Sequence, residues 1–339
     1  MDPGLNAPSR FDQIGYPMAA RIGSVRPGVP RSRGGAACER PWRHPEERLS
    51  CRRMSRWWVA LGGTALMACL GTVYAWSVFT QPLQAAFGWS AARATLPFSA
   101  AIFFLGVGAV VGGRWQDRAG PRPVALAGAL AWAAGNLLAG LGTARLGLPW
   151  LVATWGVLGG LGLGLGYVTP VSAVTKWFAG RRGLGGGLVV AGFGLGAFLY
   201  AHLLRSLPGF AAASREAAAV LAARASGAAA AGPLSADAAA TVLRTFTFSG
   251  LAFAAVGGLA AALVRDPPGP AGTAAGAGRG GDPGGGHRPS EMVATPRFWA
   301  AWAMLFLNVT AGILFISSAV PIMRELTGAA PAAAAAASG

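Results

Sequence analysis

The densest group of residues able to do ionic work is the run Gly113-Arg114-Trp115-Gln116-Asp117-Arg118-Ala119-Gly120-Pro121-Arg122. One acid, Asp117, stands among Arg114, Arg118 and Arg122, while Gly120 and Pro121 have the types of a tight reversal and Gly113 would let a neighbouring helix approach. Long apolar blocks flank the run on both sides, which puts it at a membrane–water interface. An acid there can hold a gate through ion pairs and helix-end dipoles, and release it when two parts of the molecule rock apart. The plainer alternative is a charged turn that only fixes topology.

A second set consists of polar tips in otherwise apolar blocks: Tyr74, Trp76, Asn136 and Tyr167. Such groups tend to face a cavity, so these four are candidates for substrate contact. Trp57, Trp58, Trp150 and Trp177 lie near block ends and read equally well as interfacial anchors. His202, close to the end of its block, reads as an interfacial residue rather than a proton relay. No Asp, Glu, Lys or Arg occupies the centre of a block, although a bound anion needs positive charge or helix N-termini to replace its hydration.

Catalytic constellations are missing from the blocks. There is no Ser/His, Cys/His, Asp/Asp or His/Glu metal pattern, so no enzyme activity, cofactor or metal site is expected. Cys38, Cys51 and Cys69 form neither an even disulfide framework nor a C-x-x-C spacing. The glycine-rich stretch from Arg181 to Gly187 lacks the Lys-Ser/Thr ending of a nucleotide loop. The glycines point to packing instead: Gly156 and Gly160, Gly162 and Gly166, and Gly192 and Gly196 are G-x-x-x-G pairs that let helices approach closely.

The elements that must position these residues follow from composition. Of 339 residues 53% are hydrophobic and 12% charged, against roughly 25% charged in a soluble domain. Apolar residues gather into blocks long enough to cross a hydrocarbon core of about 30 Å. Seven spans are predicted, at approximately 57–80, 94–113, 123–143, 149–172, 184–204, 245–264 and 298–320. Membrane lipid is thus the first partner. The formal charge of +16 does not indicate nucleic acid, because its arginines sit in residues 1–56 and beside the spans, where basic residues orient a membrane protein.

Arg52, Arg53 and Arg56, then Arg114, Arg118 and Arg122, then Lys176, Arg181 and Arg182 flank alternate span ends, so the N-terminus is expected to be cytoplasmic and the Ala-rich connection 205–244 external. The Arg/Pro/Gly-rich residues 1–53 read as disordered or as a misassigned start upstream of Met54. Residues 54–264 form a six-helix bundle, 265–296 a cytoplasmic Gly/Pro-rich linker, and 297–339 one further helix followed by an alanine run that reads as the opening of an eighth.

The run 113–122 matches G-x-x-x-D-R-x-G-x-R and resembles the loop signature of the major facilitator superfamily, through Gly113, Asp117, Arg118, Gly120 and Arg122. Further segments resemble the oxalate/formate antiporter family and related monocarboxylate carriers: Tyr74-Ala75-Trp76-Ser77-Val78-Phe79, Phe87-Gly88-Trp89-Ser90, Gly166-Tyr167-Val168-Thr169-Pro170-Val171, Lys176-Trp177-Phe178 with Arg181-Arg182-Gly183, and Thr295-Pro296-Arg297-Phe298-Trp299. The resemblance implies an all-α membrane fold of two six-helix halves, here a complete first half, a seventh helix and an incomplete second half. It also implies transport of small carboxylates, Tyr74 and Tyr167 among the substrate contacts, and basic binding residues on later helices of the second half. A bacterial inner membrane is the expected location. A seven-helix receptor or sensor, or a non-functional gene fragment, is the alternative reading. Nothing in the sequence bears on oligomeric state.

Overall fold

The computed structural model describes residues 56–226, 232–267 and 292–327, with side chains described as far as residue 312. The leader 1–53, linker residues 268–291 and the alanine run 328–339 lie outside the described residues. All regular structure among the described residues is helical.

The first span is composite. Helix α1 (Arg56–Gly71) passes through a 3-10 stretch (Thr72–Trp76) into α2 (Ser77–Phe87), which ends on Gly88 in the left-handed region (φ 66°) with its N–H donating to the Gln84 carbonyl. Ser90 then caps α3 (Ala91–Ala119), its hydroxyl accepting from the Arg93 N–H at 3.3 Å. The connection is therefore Gly88–Ser90, shorter than the gap between the expected spans 57–80 and 94–113, because α2 runs on through Pro82.

The stretch Pro121 to Trp177 is 57 residues long, about 86 Å if it were one straight helix at 1.5 Å per residue. It folds back instead at Gly147 (φ 67°, ψ −151°), giving α4 (Pro121–Leu151) and, after a π-helical stretch (Val152–Leu158), α5 (Gly159–Trp177). The Trp150 indole donates to the Leu138 carbonyl at 2.8 Å across this reversal. Next come α6 (Arg182–Ser206), α7 (Pro208–Ala225), α8 (Ala236–Leu263) and α9 (Pro296–Thr327). Five helical stretches before residue 264 are long and apolar enough to cross a membrane. One of them folds back on itself, so the described residues before 264 hold six membrane-length helices, and α9 follows as a further helix.

The expected connection 205–244 is mostly helix, which corrects the sequence reading. Alanine has the highest helix propensity, Pro208 suits the first turn, and the span begins at Ala236 where Ser235 caps it. Helix α7 buries Phe210, Ala213 and Ala217, with the Phe210 ring 5.4 Å from Phe79.

Within residues 56–263, α4 packs along α8 and α5, α3 along α5, and α1 along α6 and α8. Trp132, Leu66, Met67, Leu70, Leu163 and Phe246 are completely or almost completely buried between them. An aromatic seam runs through the interior, Trp76 lying 4.2 Å from Trp155 and Phe79 4.5 Å from Phe246, ring centre to ring centre. Wide faces of α3 and α6, with Phe103, Val107, Val110, Leu195 and Phe198, remain exposed.

Candidate functional site

The reversal between α3 and α4 is built as its residue types require. Helix α3 stops at Ala119, Gly120 takes a positive φ of 81° that a side chain would resist, and Pro121 starts the next helix. Asp117, Arg118 and Arg122 are exposed, as is Arg114, and Asp117 makes no ion pair among the described residues. Gly113 does not serve the close contact expected of it, since a Cβ there would meet open space. The contact falls on Gly108 and Gly112, where a Cβ would come within 2.5 Å of the Leu161 carbonyl oxygen and 3.1 Å of the Leu165 Cα. Positions four apart share a helix face, and one residue further turns away from it.

Two ties missed in the sequence hold this end together. Gln116, buried inside the signature, donates its amide to the Ser172 hydroxyl at 2.9 Å, leaving its own oxygen without a partner. Lys176 pairs with Asp266 at 2.9 Å and the Trp177 indole donates to the Arg265 carbonyl at 2.7 Å, joining the end of α5 to the chain just after α8. Neither tie carries a local signal, because the partners lie 56 and 90 residues apart.

Helix α5 and the π-helical stretch before it present small residues on two sides. Cβ atoms built at Gly156 and Gly160 would press on Ala100 and the Ala101 carbonyl of α3 at 2.9 and 2.7 Å, those at Gly162 and Gly166 on Trp132 and Leu70 at 2.5 and 2.7 Å. A Cβ at Gly192 would come within 2.7 Å of Thr64 and one at Gly196 would meet the Ala68 carbonyl, so α6 lies against α1 through its glycines.

The four cavity candidates separate into two pairs. Trp76 is 3% exposed, its indole donates to the Ala94 carbonyl at 3.1 Å, and its ring lies in the aromatic seam. Asn136 is 2% exposed, donating to the Trp132 carbonyl at 2.9 Å and accepting from the Trp155 indole at 3.2 Å. Both are fully employed inside the packed half. Tyr74 and Tyr167 are half-buried and stand on either side of Phe193, at ring distances of 5.3 and 5.6 Å in edge-to-face geometry.

Beside Tyr74 opens a cavity of about 180 Å³ between the first span and α6, where Ser77, Phe198, His202 and Arg205 also line the wall. It extends from the level of Tyr74 to the end of α6 opposite the 113–122 turn. No polar pattern marks it in the sequence, since its lining comes from stretches more than a hundred residues apart.

Six membrane-length helices among the described residues, glycine-mediated packing and a charged α3–α4 reversal accompany a sequence that matches the Major Facilitator Superfamily over residues 61–339. The chain belongs to that superfamily. Superfamily membership and its long apolar helices make it a multi-pass membrane protein. It is similar to an oxalate:formate antiporter of Oxalobacter formigenes, 26% identical over 295 residues, covering 84% of this chain and 59% of the relative. It is also similar to apicoplast pyruvate carrier 1 of Toxoplasma gondii, at 30% identity over 51% of this chain and 40% of the carrier. Monocarboxylate transporter 13 of Rattus norvegicus is 32% identical over 44% of this chain and 35% of that protein. The chain thus spans less than two thirds of the length of each relative.

Proposed function

We propose that this superfamily member is a secondary carrier of small carboxylates working by alternating access, with residues 54–264 as its first half-bundle, 265–296 as a linker and 297–339 as the beginning of the second half. The observation that carries the substrate class is the agreement of the relatives: an oxalate:formate antiporter, a pyruvate carrier and a monocarboxylate transporter all take small carboxylates by name. In this reading Tyr74 and Tyr167 face the substrate, while Trp76 and Asn136 hold the wall behind them. Asp117, free of any ion pair among the described residues, is the gating acid, available to a partner in the other half. Alternating access about a midplane site needs two half-bundles, so the 339-residue chain alone is expected not to exchange. A protein of the relatives' length is expected to exchange labelled oxalate, formate or pyruvate in proteoliposomes, and failure with all three would overturn the substrate class.

The positive-inside charges support an N-terminus in the cytoplasm of a bacterium, with the connection after α6 outside. Single cysteines at Ala212, exposed on α7, and at Gly276 are then expected to label from opposite sides of the inner membrane. Equal external labelling of both would reverse or break this topology.

A further inference from the structure

We propose that Arg205 and His202, together with Ser77 and Tyr74, form a capture site for a small carboxylate at the mouth of the substrate path. The inference rests on the carboxylate reading given above but concerns residues that reading does not use. Arg205 and His202 lie three apart on α6 and so share a face, and both line the cavity with the Ser77 hydroxyl and Tyr74 opposite. The His202 ring runs nearly parallel to that of Phe198, with ring centres 6.3 Å apart and planes 15° from parallel. Ala75, Val78, Ala197 and Ala201 complete the wall between these polar groups.

The charge balance selects an anion. Arginine stays cationic at every accessible pH, and Arg205 makes no ion pair among the described residues. Glu216, on the neighbouring α7, is taken up by Ser235, accepting from its N–H at 2.7 Å and its hydroxyl at 3.0 Å. Size selects the class. A cavity of about 180 Å³ is smaller than the roughly 300–1,000 Å³ of drug-sized ligand pockets, and suits a carboxylate of a few heavy atoms. Position supplies the role, because the inner end of the cavity is Tyr74, which touches Phe193, which touches Tyr167. An anion held by the rim arginine would be handed along this aromatic wall toward the middle of the bundle.

Arg205 in the last turn of α6 also complements that helix's dipole, and an arginine at this depth can bind an anionic lipid headgroup. The shared chemistry is an anion, and the experiment must separate the sources. The 339-residue chain in phosphatidylcholine nanodiscs, free of anionic lipid, is titrated with formate and with pyruvate and read by proton saturation transfer. Binding with Kd on the order of 1 mM is expected. Arg205→Gln should weaken it about tenfold, the scale of one charge-assisted contact, His202→Ala by less, and Arg205→Lys by little. Arg215→Gln, an exposed charge on α7 outside the cavity, should leave it unchanged.

Binding that survives Arg205→Gln would overturn the site while leaving the carrier reading intact. Equal weakening by Arg215→Gln would reduce the effect to general surface charge and overturn it too. Absence of carboxylate binding to the unmodified chain would also overturn the site, with exchange by the longer protein judging the carrier reading separately. If instead Arg205→Gln only strips phosphatidylglycerol from the chain in mass spectra of native nanodiscs, the arginine is a lipid anchor. Should Arg205→Gln elute as aggregate, Arg205→Lys against Ser77→Ala gives the same decision, since loss of the hydroxyl should weaken binding and retention of charge should not.

Discussion

The two ends of the bundle are held by opposite means. At the end carrying the 113–122 turn, four charges crowd into one short reversal, yet Asp117, Arg118 and Arg122 are exposed and the ties are made by neighbours, Gln116 to Ser172 and Lys176 to Asp266. At the other end, the connection after α6 has the composition of a loose loop but is closely stapled. Arg224 donates to the carbonyls of Gln84, Ala85 and Gly232 at 3.2–3.4 Å, the Leu234 N–H donates to Ala85, and Glu216 receives Ser235. One guanidinium thus adds a second donor to carbonyls in the last turn of α2 that already accept from Gly88 and Leu234. Charge density in a sequence therefore does not locate the ionic structure. Free charges at one end can engage a moving partner, while engaged charges at the other fix the scaffold on which it moves.

Breaking the stapled end should cost most. Arg224→Ala removes the guanidinium that ties α7 to the last turn of α2 while Gln84 and Ala85 keep Gly88 and Leu234 as donors, and a loss of about 2 kcal/mol is expected from several charge-assisted bonds to backbone. It should appear as faster amide exchange confined to α2 and α7. Unchanged exchange there would erase the contrast between the ends.

Lys176→Met removes the ion pair at the signature end. Its side chains are 20% and 26% exposed, so solvent screening limits the expected loss to about 1 kcal/mol in detergent melting. The indole bond from Trp177 to Arg265 should persist and be readable as unchanged quenching of that tryptophan by added iodide.

The smallest effect on stability, and the sharpest on function, is expected at Asp117. With no ion pair to lose among the described residues, Asp117→Asn should shift melting by no more than about 0.5 kcal/mol. In a protein of the relatives' length it should slow exchange more than it weakens substrate binding, lowering the maximal rate at nearly constant KM. A large stability loss would mean that the acid is structural, and the comparison between free and engaged charge would fail at its central residue.

Local properties of the chain decided the membrane class, the order of the spans and the position of the charged reversal, because hydropathy and turn chemistry act over tens of residues and survive without tertiary contacts. Gly120 followed by Pro121 could be read as a reversal for the same reason. The faces of the helices could not be read. In water an amphipathic pattern separates core from surface, but lipid is as apolar as the interior, so an all-apolar span carries no mark of which side packs. Only packing therefore decided that Trp76 and Asn136 are interior, that Gly112 rather than Gly113 meets α5, and that alanines 211–225 dock as a helix. Only the crossing of α6 over the first span set Arg205 and His202 beside Ser77 and Tyr74, because a cavity between helices belongs to their relative placement and to no segment of either.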